Sequence, residues 1–259
     1  MKKLFFIYHY LVHRLKAVNE HGIHSPFVFD LLMNVIYVKT DYYPFKKIEK
    51  VREQLLDSKK TIHCIDLGAT NEITKDKKIS RIAKHSAKAP RQAQLLFRLA
   101  NYFQPEHIIE LGTSLGISTA YLAAANSKTK IITMEGCPET AEIAQQNFKH
   151  LKLQNIEQII GNFDIVLPKV LDKCEKLDFV FFDGNHRKQA TLNYFNQCLE
   201  KVNESTVFVF DDIYWSDEMM EAWKEIKNNS RVTITIDLFF MGIVFFHKEQ
   251  AKQHFLIRF

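Results

Sequence analysis

Glycine is scarce in this chain, at 8 of 259 residues against 21 phenylalanines. That is under half the roughly 7% of average usage. With only six prolines as well, collagen-like, low-complexity and Gly/Pro-rich disordered chains are excluded. Where glycine is this rare, each one is a candidate for a position whose backbone geometry demands it. Cysteine is also sparse: Cys64, Cys137, Cys174 and Cys198 form no C-x-x-C pair. Zinc clusters and small disulfide scaffolds are thereby disfavoured, and reduced thiols in a cytoplasmic protein are expected. Neither sign of charge dominates, since 35 Lys+Arg against 30 Asp+Glu leave +5. Such an excess suits an anionic ligand but falls short of a basic nucleic-acid tail.

Long apolar runs are missing too. Met1-Lys2-Lys3 precedes the run Leu4 to Val12, which is shorter than the roughly 20 residues a membrane span takes. His9 interrupts it, His13-Arg14 follow, and no small-residue cleavage site appears, against a signal peptide. An amphipathic helix is expected, packing on the body of the protein or touching a membrane surface or a partner. The spacings of His9 with His13 and His21 with His24 suit ligand pairs, but no H-E-x-x-H motif accompanies them, so packing or solvent is expected.

Residues 1 to about 60 read as helices broken at His24-Ser25-Pro26 and Tyr43-Pro44, and the basic stretch 71–91 as a loop entering a helix. From there strands and helices alternate. The strands are His107–Leu111, Lys130–Glu135, Ile156–Ile160, Leu177–Asp183 and Thr206–Asp211, near-continuous apolar runs. Such runs argue for a mostly parallel sheet covered by helices on both faces, an α/β fold. About Val232–Phe239 and Ile243–His247 follow with only a short link, which permits only an antiparallel pair. The strands then number seven. Residues 1–90 are expected as a helical N-terminal extension and 91–259 as the main domain.

Between the first strand and its helix lies Glu110-Leu111-Gly112-Thr113-Ser114-Leu115-Gly116-Ile117-Ser118. Gly112 permits a tight turn, and Gly116 lets the helix start close to the sheet or to a ligand. A dinucleotide fingerprint would read G-x-G-x-x-G, and this loop does not. Glu110, at the strand end, is placed to bond an amino group. Glu135, at the end of the second strand, is placed for ribose hydroxyls. Gly161-Asn162-Phe163 follow the third strand and offer an amide and an aromatic face to a base. A second strand-acid-glycine stretch, Ile65-Asp66-Leu67-Gly68-Ala69-Thr70, lacks a second glycine and is expected to be a turn.

Together these residues resemble the class I S-adenosylmethionine-dependent methyltransferases, most closely the catechol-type O-methyltransferases. The resemblance rests on Glu-Leu-Gly-x-x-x-Gly-x-Ser at 110–118, and on Gly161 leading through Leu167-Pro168 to Leu177–Asp183. It covers roughly residues 86 to 247. It implies a Rossmann-like, doubly wound sheet with a reversed final strand. It also implies S-adenosyl-L-methionine as cofactor, held by Glu110, Gly112, Thr113, Ser114, Gly116, Ser118, Glu135, Gly161, Asn162, Phe163 and Asp183.

Asp183, Asp211 and Asp212 end the fourth and fifth strands. Clustered carboxylates repel, so a proton or a cation must share them. Oxygen ligands suit Mg2+ or Ca2+. In the family, acids at the positions of Asp183 and Asp211 bind a divalent metal and an Asn usually fills that of Asp212, so the Asp here leaves metal use open. The alternative is that Asp183 serves only the cofactor while Asp211 and Asp212 cap the next helix. The family also places a basic residue three positions after the first acid. Here that is His186, whose neutral imidazole would accept a hydroxyl proton.

The expected activity is methyl transfer to a hydroxyl of a small molecule. The alternatives are a metal-free methyltransferase acting on nitrogen or RNA, a cofactor-binding protein without catalysis, and an NAD oxidoreductase. A homodimer is compatible with all of them. The Asn-Pro-Pro-Tyr type motif of many base methylases is absent after the fourth strand, where Asp183-Gly184 stands. Trp215 and Phe239-Phe240-Met241 are read as core or as the wall of an acceptor pocket.

Overall fold

The computed structural model describes residues 2–66, 73–248 and 250–259. The Gly68 loop, expected to be a turn, lies outside them. The chain divides into two compact units, one of residues 1–38 with 171–259 and the other of residues 39–170.

Two N-terminal helices begin the first unit: α1 (Lys2–Lys16) and α2 (Pro26–Leu31). Ser25 caps α2 by accepting from the Val28 N–H at 3.4 Å, with Pro26 in the first turn, where its missing N–H costs nothing. A single π-helical turn, Leu32–Ile36, continues α2.

The second unit opens with α3 (Tyr43–Leu56) and the antiparallel strands β1 (Thr61–Asp66) and β2 (Ile73–Lys78). This hairpin corrects the expectation of helix and loop alone between residues 1 and 91. β2 reads Ile-Thr-Lys-Asp-Lys-Lys, with no apolar alternation to betray it, and pairing with β1 rather than its own propensity makes it a strand. Helices α4 (Ile79–Ser86) and α5 (Pro90–Phe103) follow, then β3 (His107–Leu111), α6 (Ile117–Ala125), β4 (Lys130–Glu135), α7 (Pro138–His150), β5 (Ile156–Ile160) and α8 (Phe163–Leu171). Strand β4 lies between β3 and β5, parallel to both, with Glu110 opposite Thr133 and Met134 opposite Ile159. Phe45, Phe97, Leu115, Ile117 and Tyr121 are buried together in this unit's core.

The remainder of the first unit supplies β6 (Leu177–Phe182), α9 (Lys188–Leu199), β7 (Val202–Asp211), α10 (Asp217–Asn228), β8 (Ile234–Asp237), β9 (Met241–Phe245) and β10 (Gln253–Leu256). β6 and β7 are parallel, β9 is antiparallel to β7 and β8, and β10 is parallel to β8. The mostly parallel α/β architecture and the reversed hairpin agree with the sequence. β3 to β9 are the seven strands expected, and β10 is an addition. The chain end also ties down α1: Val18 N–H donates to Leu256 O at 2.9 Å and Arg258 N–H to Val18 O at 3.1 Å.

The hairpin turn needs no glycine. Phe239 occupies its left-handed position at φ 72°, and Leu238 N–H donates to Met241 O at 2.9 Å. Gly242 lies one residue inside β9 and faces Trp223, where an added Cβ would sit 2.5 Å from the indole ring. Trp223 is 3% exposed and cannot swing away, so Gly242→Ala is expected to destabilise the fold by about 1–3 kcal/mol, the usual cost of overpacking. Urea denaturation followed by tryptophan fluorescence measures it.

Candidate functional site

In the unit of residues 39–170, the loop after β3 is bound to the end of β4. Gly112 and Thr113 both donate their N–H to Met134 O at 3.0 Å, and Gly116 N–H returns to Thr113 O at 2.8 Å. Ser114 N–H donates to Glu135 Oε2 at 2.7 Å, and Cys137 N–H to Oε1 at 2.9 Å. The Glu135 carboxylate thus ties the loop after β3 to the turn that opens α7. Gly116 is required twice over. Its φ of 81° is left-handed, and an added Cβ would lie 2.5 Å from the Phe148 ring of α7.

Glu110 is placed differently from the expectation of a direct contact to an amino group. It has no exposed surface. Its oxygens accept from Ser118 Oγ at 2.6 Å, Thr119 Oγ1 at 2.5 Å and Thr133 Oγ1 at 2.7 Å. Thr113 Oγ1 lies 2.6 Å from Thr133 Oγ1 and extends this chain of hydroxyls. The acid therefore fastens β3, α6 and β4 around the loop, and Ser118 is its own partner. Burial raises the Glu110 carboxyl to about 7, against the opposing pull of those hydroxyl donors. Thr119 and Thr133 were missed in the sequence reading. The signal available was a hydroxyl set within the apolar runs of α6 and β4.

After β5, Gly161 donates its N–H to Glu135 O at 2.9 Å. Asn162 Oδ1 accepts from Asp164 N–H at 2.9 Å and so caps α8, of which Phe163 is the first residue.

In the unit of residues 1–38 and 171–259, the acids stand at the ends of β6 and β7 as expected: Asp183 follows β6, Asp211 is the last residue of β7 and Asp212 follows it. Asp183, His186 and Asp211 each offer a ligand atom within 4.8 Å of the others. His186 Nε2 is 3.8 Å from Asp183 Oδ1 and 3.9 Å from Asp212 Oδ2. The histidine thus joins the tightest trio, while Asp212 stands at its edge. Asp212 has a φ of 53°, and its N–H donates to Phe240 O at 2.8 Å. Asp211 is 2% exposed, so its charge needs a partner.

A further carboxylate, overlooked in the sequence reading, organises the same loop. Asp237, ending β8, is 1% exposed. Its Oδ1 is 3.0 Å from His13 Nε2 and accepts the Phe239 N–H at 3.0 Å. Its Oδ2 accepts from Tyr214 OH and Trp223 Nε1, each at 3.0 Å. Burial, followed by the adjoining Asp237 carboxylate, pushes the Tyr214 phenol up. An acid ending an apolar strand was the available signal, the same one that marked Asp183 and Asp211. Phe239 is buried, whereas Trp215 is 54% exposed.

Residues 109–213 match the family model described as a methyltransferase domain. Two curated relatives named catechol O-methyltransferase match about half of the chain. That of Niastella koreensis is 30% identical over 136 residues, 51% of this chain and 61% of the relative. That of Mycobacterium tuberculosis is 27% identical over 139 residues, 51% and 61%. The chain thus spans about three fifths of these relatives' length. Among solved structures, the O-methyltransferase from Bacillus cereus in complex with SAH has a TM-score of 0.58 at 19% identity, covering 81% of this chain and 93% of that one. The O-methyltransferase TomG from Streptomyces achromogenes, in complex with SAM, gives 0.56 at 18%, covering 85% and 95%. Residues 109–213 are thus similar to a methyltransferase domain, and the chain shares the fold of these solved O-methyltransferases. The sequence similarity to the relatives named catechol O-methyltransferase extends over about half of the chain.

The raised Glu110 carboxyl makes stability pH-dependent. Between about 4.5 and about 7 the folded protein keeps a proton that the unfolded chain has lost, so stability falls as pH rises through that window. Comparing urea unfolding of the wild type with Glu110→Gln across it should show the wild type losing stability relative to the variant as pH rises.

Proposed function

We propose that this chain is an S-adenosylmethionine-dependent methyltransferase acting on a hydroxyl oxygen of a small molecule. The observation that carries the reading is that the methyltransferase-domain match, residues 109–213, spans both the Gly112–Gly116 loop and the acids Asp183, Asp211 and Asp212. The names of the relatives support oxygen as the atom methylated, and the four free cysteines accord with a cytoplasmic setting. Among the described residues no helix is long and apolar enough to cross a membrane.

In this reading the loop binds the cofactor. Glu135, at the end of β4 beside the loop, accepts the ribose hydroxyls. Gly161, Asn162 and Phe163 border the base. Glu110 is a positioning residue that fixes Ser118 and the loop. Transfer is an in-line displacement: the acceptor oxygen bonds the methyl carbon as the carbon–sulfur bond breaks, and sulfur keeps the electron pair. Alignment of the two reactants supplies much of the rate. The hydroxyl proton goes to the Nε2 of neutral His186.

The donor set also fits a divalent cation. Two carboxylates and an imidazole lie with ligand atoms within 4.8 Å of one another, a donor set of the kind divalent cations take. Asp183, His186 and Asp211 would hold it, with Asp212 adding negative charge at the margin. When bound, such an ion would lower the pKa of an acceptor hydroxyl. An imidazole nitrogen bound to the ion cannot also take the proton, so His186 fills one position or the other.

Calorimetry with S-adenosylmethionine and S-adenosylhomocysteine, with and without Mg2+, is the direct test, and binding of neither overturns the proposal. Glu135→Ala is expected to weaken cofactor binding by roughly 10- to 100-fold, the worth of charge-assisted hydrogen bonds. Asp211→Asn and His186→Ala should bind cofactor as the wild type does and lose about 100-fold or more in turnover. Full wild-type activity in EDTA would assign His186 to the proton rather than to a cation.

A further inference from the structure

Helix α1 has two faces of opposite use. One is packed: Phe6 lies 5.0 Å from the Phe239 ring, Tyr10 5.1 Å from the same ring, and His13 is anchored on Asp237 at 3.0 Å. The other is apolar and open. Leu4 is 73% exposed, Ile7 51%, Tyr8 64%, Leu11 55% and Leu15 84%. At 100° per residue these five fall within one stripe about 100° wide along the helix. Scattered apolar residues on a surface need no explanation, but a continuous stripe does.

The charges of α1 decide between occupants. Lys2, Lys3, Arg14 and Lys16 stand at its two ends, and no Asp or Glu occurs between them. A second copy docked through this face would set like charges together in either direction. Antiparallel pairing brings Lys2 and Lys3 to Arg14 and Lys16, and parallel pairing brings each end to itself, a repulsion that specific pairs avoid. An anionic surface satisfies both ends at once. At 15 residues the helix is about 22 Å long, too short to span a bilayer and suited to lie in its plane. Tyr8, apolar in body and polar at its tip, suits the headgroup level.

We propose that α1 is a membrane-surface anchor, its Leu4–Leu15 stripe entering the headgroup boundary of an anionic lipid bilayer with Arg14 and Lys16 on the lipid charges. This is independent of the catalytic reading.

The test is flotation of the full chain with phosphatidylcholine vesicles, alone or mixed with phosphatidylglycerol. Binding should be tenfold or more stronger on the anionic vesicles and should weaken as salt is raised. Leu11→Gln/Leu15→Gln and Arg14→Glu/Lys16→Glu should each remove it while melting as the wild type does. Equal or absent binding to both vesicles overturns the proposal. So does a wild-type dimer in light scattering that the Leu11→Gln/Leu15→Gln variant turns into a monomer, which would give the stripe to a second copy. Should either variant fail to fold, the lipid dependence and oligomeric state of the wild type decide alone.

Discussion

Glu110 has no exposed surface, and three hydroxyls converge on it. The geometry of the glycine loop depends on that arrangement. A buried carboxylate is tolerated only where its oxygens are satisfied or its charge is removed, and here both routes are used, through hydroxyl donors and a raised pKa. Because the donors come from α6 and β4 while the acid ends β3, no one of these elements can shift without leaving a polar group unpaired. The backbone bonds from Gly112 and Thr113 to Met134 add a second tie in the same place. The loop is therefore held from beneath, with Glu135 tied to it from the end of β4 through the Ser114 N–H.

Asp237 does comparable work in the other unit. Its carboxylate gathers a helix through His13, a loop through Tyr214, a second helix through Trp223 and a turn through Phe239. Tyr214 lies three residues past Asp211, so the acids beyond β7 are held by a network whose centre is elsewhere. The two buried carboxylates stand at the ends of strands, where a parallel sheet exposes its binding edge. Each fixes the backbone around it.

Much of this was legible in the sequence because periodicity and strand-ending acids are local signals. β3, β4 and β5 begin and end where the apolar runs do, and Ser216, with Asp217 and Glu218 behind it, announces α10. What was not legible depended on partners remote in sequence. β2 is a lysine-rich strand only because β1 pairs with it. Nothing local in the sequence tells of the Trp223 ring pressed against Gly242. The hydroxyls of Thr119 and Thr133 and the carboxylate of Asp237 are likewise defined by contacts across the fold. Asp183, His186 and Asp211 were each marked in the sequence, but only their distances show that the histidine belongs with the acids rather than beside them.

The scarcity of glycine acquires a further meaning from the backbone. Among the described residues, Ser114, Asn185, Asp212 and Phe239 hold positive φ values of 47°, 55°, 53° and 72° without being glycine. Asn and Asp tolerate that region, whereas a bulky side chain such as Phe is an outlier there. Such conformations cost about 1–3 kcal/mol each and persist only where surrounding bonds over-determine them. Those bonds are present. Ser114 N–H is held by Glu135, Asp212 N–H by Phe240 O, and Phe239 N–H by Asp237. Asn185 Nδ2 donates to Tyr194 OH at 3.2 Å. Glycine would occupy these positions without strain, but it would leave the backbone freer and remove the side chains of Asn185 and Asp212 from the neighbourhood of His186. The chain accepts strain at the candidate site and keeps glycine for places such as Gly116, where a neighbouring ring leaves no room for anything larger.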